Sequence, residues 1–160
     1  MILFNFNSTS QENEWLVVDD VVMGGRSKGY FNINKEGNGV FEGNVSLENN
    51  GGFSSVKHRL VQKNVEGFTR VILQLKGDEN PYQFRIKTNK SDYYAYVAEF
   101  KTTSDWIIVE IPFSTMYPSF RGQRLNASNY PGKLIEEIAF YIGNKKTVPF
   151  KLEIGKITLE

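Results

Sequence analysis

The chain has 160 residues, of which 40% are hydrophobic, and this is enough for one domain with a buried core. Its 19 lysine and arginine residues and 18 aspartate and glutamate residues give a formal net charge of +1, which argues against a general binder of nucleic acid or anionic membranes. The absence of cysteine excludes disulfides, thiolate nucleophiles and zinc sites built on sulfur.

The N-terminal segment MILFNFNSTSQENEW carries no targeting signal. It has neither the basic and apolar regions of a signal peptide nor the arginine-rich helix of a mitochondrial transit peptide. No window approaches the roughly 18 apolar residues of a membrane-spanning helix. We therefore predict a cytoplasmic protein without an integral membrane segment, and a single domain over residues 1–160.

The hydrophobic periodicity is typical of β-strands. RVILQLKG at 70–77 and YQFRIK at 82–87 alternate between apolar and polar residues. WIIVEI at 106–111 is continuously apolar, which predicts a strand covered on both faces. FKLEIGKITLE at 150–160 alternates but slips at Gly155, where an isolated glycine predicts a β-bulge.

Turn residues separate these runs, and helices are scarce between them. GKLIEEIAF at 132–140 offers a helical alternative because Leu134, Ile135 and Ile138 have helical spacing, but its continuation YIG is strand-like. One helical turn at most is expected there. Successive strands without intervening helices predict an all-β, antiparallel sandwich.

Few residues could carry catalysis. His58 is the only histidine, and no G-x-S-x-G motif surrounds a serine near it. Asp19 and Asp20 are neighbours, so on a strand they point to opposite faces and cannot together flank a scissile bond. A hydrolase that uses one of these aspartates with a distant carboxylate stays a third hypothesis, and we predict that the chain is not an enzyme.

The two glycines after this pair do not form a recognisable cofactor site. Gly24 and Gly25 match neither the Walker pattern nor G-x-G-x-x-G. A calcium ion held by Asp19 or Asp20 with backbone carbonyls stays open, although the spacing of an EF-hand is absent. We predict no cofactor and assign no metal ligands.

One polar strand face has the composition of a ligand-binding surface. Gln74, Gln83 and Arg85 lie at outward positions of their strands, and Tyr93 and Tyr94 begin a tyrosine-rich strand. Planar rings beside amides and a guanidinium are suited to binding sugars or peptides. The alternative is that these tyrosines simply cover the sheet, as strand aromatics often do.

Four segments stand in the order found in a known family: WLVVDDVVMGGRSKG at 15–29, GGFSSVK at 51–57, WIIVEIPFSTMYPSFRG at 106–122 and IAFYIGNKKTVPFKLEIGKI at 138–157. Together they resemble the complex I intermediate-associated protein 30 domain. The resemblance implies a jelly-roll sandwich of the galactose-binding-domain-like class. It also implies a non-catalytic role, since mitochondrial members act as assembly factors for respiratory complex I. The chain departs from the family at Lys57, where arginine is frequent.

The stretch DDVVMGGRS is interpreted as a structural corner. Gly24 and Gly25 would allow a tight reversal of the chain. A buried carboxylate needs a partner, and the guanidinium of Arg121 can hold one with two hydrogen bonds. We therefore predict that Asp19 or Asp20 pairs with Arg121, with residues 51–55 close by.

The resemblance favours a domain that binds another protein. We predict contacts from Arg26, Ser27 and Lys28, and from the edge formed by Phe120 and Gly122 together with Arg121. The alternative is a carbohydrate- or small-ligand-binding module that uses the face with Gln74, Gln83, Arg85, Tyr93 and Tyr94. No nucleic-acid partner is predicted, although a local basic patch at 57–59 would escape the argument from net charge.

Overall fold

The computed structural model describes residues 1–19, 26–48, 52–143 and 147–160, and these residues form two antiparallel β-sheets. The first seven strands are β1 Ile2–Asn5, β2 Leu16–Asp19, β3 Lys28–Ile33, β4 Gly39–Val45, β5 Ser54–Asn64, β6 Arg70–Lys76 and β7 Pro81–Lys87. The remaining strands are β8 Ala95–Lys101, β9 Trp106–Pro112, β10 Tyr117–Phe120, β11 Gln123–Arg124, β12 Leu134–Ile142 and β13 Val148–Leu159. Single turns of 3₁₀ helix lie at Glu12–Glu14 and Phe113–Thr115. The predicted all-β jelly-roll sandwich is confirmed.

The two sheets pack face to face around one apolar core. One sheet has the order β3-β4-β13-β6-β9, with β1 also paired to β13, and the other has the order β11-β10-β8-β7-β12-β5-β2. Alternation directs every second side chain of a strand into the space between the sheets. Fully buried side chains from both sheets meet there, including Phe41, Leu73, Phe84, Phe140 and Leu152.

The predictions for individual strands have mixed outcomes. The bulge expected at Gly155 is confirmed, because the register between β13 and β6 shifts between Ile154 and Lys156. The prediction that 106–111 is covered on both faces is wrong. This segment forms the edge strand β9, in which Trp106 is 42% exposed and Ile108 60% exposed.

The helical alternative around residue 134 is also resolved. Residues Leu134–Ile142 form strand β12, which pairs with both β5 and β7. A shift of register between Ile135 and Glu137 interrupts the alternation. This bulge explains why the apolar positions of the segment mimic helical spacing.

His58 belongs to β5 and packs within a cluster of aromatic rings. Its ring stacks on Trp15, with centroids 5.2 Å apart, and lies edge-on to Phe4 at 4.8 Å. Its Nδ1 atom is 2.7 Å from the backbone oxygen of Glu14. The single histidine therefore packs against two aromatic rings, in agreement with its interpretation as a strand residue.

Candidate functional site: a groove on the seven-stranded sheet

Asp19 joins the two sheets. Its carboxylate accepts hydrogen bonds from the backbone amide of Gly29 at 3.1 and 3.2 Å, and from the hydroxyl of Ser54. Gly29 belongs to β3 in one sheet and Ser54 to β5 in the other. A Cβ atom on Gly29 would lie 2.2 Å from Ser54 Oγ. Because glycine has no side chain, Ser54 can come this close to the backbone of Gly29.

The predicted pair between Asp19 and Arg121 is wrong. Val18 lines the outer face of the seven-stranded sheet, so Asp19, the next residue of the strand, faces inward. Arg121 is exposed, and its guanidinium lies over the ring of Phe120, 5.3 Å from the centroid. The alternative partner Asp20, and the predicted turn at Gly24 and Gly25, lie outside the described residues. The expected closeness of 51–55 to Asp19 is confirmed at Ser54.

A groove of about 380 Å³ crosses the face of the seven-stranded sheet that points away from the core. Six strands each contribute a lining residue: Val18, Ser55, Tyr141, Arg85, Ala95 and Ser119. We call this feature the groove.

Strand alternation and small side chains create the groove. In β7, Tyr82, Phe84 and Ile86 are buried in the core, which turns Gln83 and Arg85 to the outer face. Short side chains such as Ala95 and Ala139 beside these polar residues leave space above the sheet.

Arg85 occupies the floor of the groove in a fixed position. Its Nε and Nη2 atoms both donate to Gln83 Oε1, at 3.1 and 2.7 Å. Its Cζ atom lies 3.8 Å from the centroid of the Tyr141 ring, and this ring also stacks on Phe53 with centroids 5.4 Å apart and planes inclined by 16°. The guanidinium is therefore held by an amide and an aromatic ring rather than by a carboxylate.

The groove is basic. Arg85, Lys87 and Arg121 line it, and none of them takes part in an ion pair between described residues. Burial lowers the pKa of Arg85, and the neighbouring hydroxyl of Tyr141 partly opposes this shift. Lys87 Nζ donates to the backbone oxygen of Asp92 at 2.8 Å. The carboxylates of Asp and Glu are absent from the described lining of this groove.

A carboxylate does lie in the adjoining depression, but it is already compensated. Glu137 is only 5% exposed and lines a second depression that shares five residues with the groove: Val18, Ser55, Arg85, Lys87 and Ala95. Its Oε1 atom lies 3.2 Å from Arg59 Nε and 3.9 Å from Lys57 Nζ. Glu137 stands opposite Lys87 in the strand register, but one carboxylate beside Arg59, Lys57 and the groove cations leaves this face with an excess of positive charge.

Exposed aromatic rings form one rim of the groove. Tyr93 is 65% exposed and Phe120 is 38% exposed, and their rings meet edge to face with centroids 5.2 Å apart. Gly122 lines the same end of the groove. Arg85, predicted as a ligand residue, therefore lines the same groove as Phe120, Arg121 and Gly122, the edge predicted to bind a partner.

Two residues predicted for the ligand face lie elsewhere. Gln74 is on β6 of the six-stranded sheet, where its amide faces Gly155. Tyr94 packs against the core, with its ring 5.6 Å from that of Tyr96. Gln74 was misplaced because alternation defines the two faces of one strand but not the sheet to which that strand belongs.

The predicted contacts at 26–28 do not line the groove either. Arg26 forms an exposed ion pair with Glu48 at 3.5 Å, and Lys28 Nζ lies 5.4 Å from the centroid of the Tyr30 ring. Ser27 is fully buried, and its hydroxyl donates to the backbone oxygen of Ser46 and accepts from the Ser46 amide. Ser27 therefore stabilises the fold and is not accessible to a partner.

Two of the principal groove residues, Tyr141 and Phe53, were not predicted from the sequence as site residues. Tyr141 lies in the apolar run IAFYIG, where strand alternation with Phe140 would have indicated its outward direction. Phe53 precedes β5, so its contact with Tyr141 depends on the pairing of β5 with β12. Among the described residues, no group of three or more His, Cys, Asp or Glu side chains forms a metal site, and no helix is long and apolar enough to cross a membrane.

Solved structures with the same architecture include carbohydrate-binding modules. The family 11 module of a cellulosomal cellulase from Clostridium thermocellum has a TM-score of 0.70 with this chain at 17% identity, covering 99% of this chain and 92% of the module. The Clostridium thermocellum family 11 module in complex with a β-1,3-1,4-mixed-linked tetrasaccharide has a TM-score of 0.68, also at 17% identity, covering 96% and 92%. At these identities the comparison defines the class of fold.

Sequence comparison identifies the family. Residues 4–154 match the family described as complex I intermediate-associated protein 30, and the chain belongs to this family. The mitochondrial complex I intermediate-associated protein 30 of Drosophila melanogaster is 23% identical over 99% of this chain and 62% of its own length. The Mus musculus protein of the same name is 25% identical over 98% of this chain and 55% of its own length. The chain thus spans about three-fifths of these relatives, whose names place them in mitochondria, and a cytoplasmic location stays a prediction.

Proposed function

We propose that the chain is a non-catalytic binding domain that holds a segment of a partner protein in the groove. The observation that carries this proposal is the contact of Arg85 with Tyr141, which in turn stacks on Phe53. Arginine and aromatic side chains contribute most of the binding energy in many protein interfaces. The exposed rings of Tyr93 and Phe120 add apolar surface at the rim.

Membership of the family supports a protein partner. The curated relatives are named as proteins associated with complex I intermediates. For this chain we propose that the partner is a component or assembly factor of such a complex in the cells that contain it.

The contacts of Asp19 and His58, the side chains considered for catalysis, support a non-catalytic role. The Asp19 carboxylate is held by the Gly29 amide and the Ser54 hydroxyl, and the ring of His58 is stacked on Trp15. Both side chains therefore have structural partners, and neither lines the groove.

Carbohydrate is the second candidate ligand. The fold is that of carbohydrate-binding modules, and Tyr93 offers an exposed ring to a sugar. The ring of Tyr141 is less suited to this purpose, because the guanidinium of Arg85 lies over its face and Phe53 also stacks on it. A basic floor whose described lining has no carboxylate therefore favours the protein partner over a neutral sugar.

The test compares three forms of the chain in the cells that contain it. An affinity-tagged chain, a Tyr93→Ser and Phe120→Ser double variant, and an Ile108→Ser control are purified and their associated proteins quantified. Ile108 is 60% exposed on β9 of the opposite sheet. We expect the double variant to lose a protein that the control retains.

The carbohydrate alternative is tested by titrating the pure chain with a β-1,3-1,4-mixed-linked tetrasaccharide. No saturable binding is expected. The proposal would be contradicted if the sugar bound saturably, if the Tyr93→Ser and Phe120→Ser variant lost this binding, and if no associated protein depended on the groove. The ligand would then be a sugar and not a protein.

A further inference from the structure

The three cations of the groove form no ion pair with a carboxylate of the described residues, whereas four cations elsewhere do. Arg59 and Lys57 contact Glu137, and Arg70 contacts both Glu110 and Glu160. Arg85, Lys87 and Arg121, which line the groove, have no such ion pair among the described residues.

We propose that the groove selects a partner segment rich in aspartate or glutamate, with one of its carboxylates bound by the guanidinium of Arg85. This inference rests on the proposed function and specifies the chemistry of the partner.

The geometry of Arg85 is suited to a carboxylate. A guanidinium has five N–H donors in one plane, and Gln83 accepts from two of them. None of the remaining donors contacts a carboxylate of the described residues. Contact with the Tyr141 ring at 3.8 Å restrains the guanidinium, so little conformational entropy is lost when an anion binds.

Lys87 and Arg121 extend the positive charge along the groove. Lys87 follows Arg85 by two residues on the same face of β7, and Arg121 lies beyond β10 at the aromatic rim. Several cations along one groove complement a segment with several carboxylates better than a single acidic side chain.

A polypeptide is favoured over a nucleic acid as the source of these anions. The whole chain has a formal net charge of only +1, whereas nucleic-acid-binding domains usually carry a marked basic excess. The exposed rings of Tyr93 and Phe120 beside the cations fit apolar side chains that would accompany the acidic ones.

The test uses a library of random dodecapeptides displayed on phage and the intact chain as bait. We expect selected peptides to be enriched in aspartate and glutamate relative to the unselected library. The Arg85→Met variant should bind a selected peptide about thirtyfold more weakly or worse, because a desolvated charge pair is lost. Arg85→Lys should restore part of the affinity, and Lys151→Met, which removes an exposed cation from the opposite sheet, should leave it unchanged.

A second variant, at an exposed residue, allows the inference to be tested even if Arg85→Met does not fold. If Arg85→Met does not give the circular dichroism spectrum of the folded chain, Arg121→Glu decides the matter, because Arg121 is exposed and forms no ion pair with a described residue. We expect this reversal of charge to weaken the binding of acidic peptides and to strengthen the binding of basic peptides.

Three outcomes would overturn the inference, and they are distinguishable. Neutral or basic peptides that depend on Tyr93 and Phe120 would contradict the acidic partner and leave the proposed function intact. Heparin, polyphosphate or single-stranded DNA that displaces the peptides at equal concentration would indicate a polyanion site instead. If no peptide is selected, or if the groove substitutions do not change the affinity of the selected peptides, the proposed function itself fails.

Discussion

The guanidinium of Arg85 lies 3.8 Å from the centroid of the Tyr141 ring, on the adjacent strand β12. In the register of these strands, Tyr141 stands opposite Gln83, whose side-chain oxygen accepts two hydrogen bonds from Arg85. Two side chains from two strands, Gln83 and Tyr141, thus hold the Arg85 cation in the groove, and neither is a carboxylate. This arrangement is suited to binding more than to stabilising the fold, because a cation that has lost water needs an anion to compensate it.

Replacement of Arg85 by methionine should change the free energy of unfolding by no more than about 1 kcal/mol. The lost contact with Tyr141 and the lost hydrogen bonds to Gln83 are offset because the variant no longer has to desolvate a charge. Urea unfolding in the absence of any partner measures this difference. A loss above about 3 kcal/mol would mean that Arg85 is a structural residue.

Asp78 should be among the most important polar residues for stability. Its carboxylate accepts hydrogen bonds from the Tyr82 hydroxyl at 3.0 Å and from the Lys151 amide at 2.7 Å, and these donors belong to different sheets. We expect Asp78→Ala to cost about 2 to 4 kcal/mol, since both donors would lose a charged acceptor. Asp105→Ala, at an exposed aspartate, is the control in the same urea experiment and should cost little.

Gly29 and Ser54 should be energetically coupled. A Cβ atom at position 29 would lie 2.2 Å from Ser54 Oγ, so Gly29→Ala should cost about 1 to 3 kcal/mol through overpacking. In the background of Ser54→Ala the nearest remaining side-chain atom, in Phe41, is 3.0 Å away, and the penalty of Gly29→Ala should be smaller. A double-mutant cycle measures this coupling. Additive effects of the two substitutions would contradict the close packing of Gly29 against Ser54.

Stability should fall as the pH rises above about 10, the usual pKa of tyrosine in an unfolded chain. Burial, followed by the proximity of Asp78, raises the pKa of Tyr82, and burial also raises the pKa of Tyr130. These tyrosines therefore keep their protons in the folded state at a pH where the unfolded chain loses them, which favours unfolding. Their contribution is fully present below pH 10 and declines above it.

Substitution of Tyr82 by phenylalanine tests this pH dependence. The variant should be less stable at neutral pH, but its free energy of unfolding should decline less steeply above pH 10, by about 1.4 kcal/mol per pH unit. The measurement is urea unfolding over a series of alkaline buffers. An unchanged slope would show that Tyr82 is not responsible.

Strand positions and faces were predictable where alternation is regular. The pattern YQFRIK placed Gln83 and Arg85 on one face, and in the structure Arg85 lines the groove while Gln83 contacts it from the same strand face. The parity change at Gly155 was enough to predict a bulge. These features depend on neighbours in sequence, which alternation describes directly.

Features that depend on sheet order were not predictable from a single sequence. WIIVEI is apolar enough for a central strand, yet β9 is an edge strand and exposes Trp106 and Ile108. Asp19 takes its partners from β3 and β5, which no local pattern connects to it. The contact of Tyr141 with Phe53 likewise arises only when β12 pairs with β5.

Photo-crosslinking inside the cell tests most directly whether the groove is the surface that meets a partner. Benzoylphenylalanine is placed at position 93, where Tyr93 is 65% exposed at the rim of the groove, and at position 108 on the opposite sheet as the control. The account predicts a crosslinked protein from position 93, absent from position 108 and lost when Arg85→Met is added. A crosslinked protein from position 108 alone, with none from position 93, would contradict it.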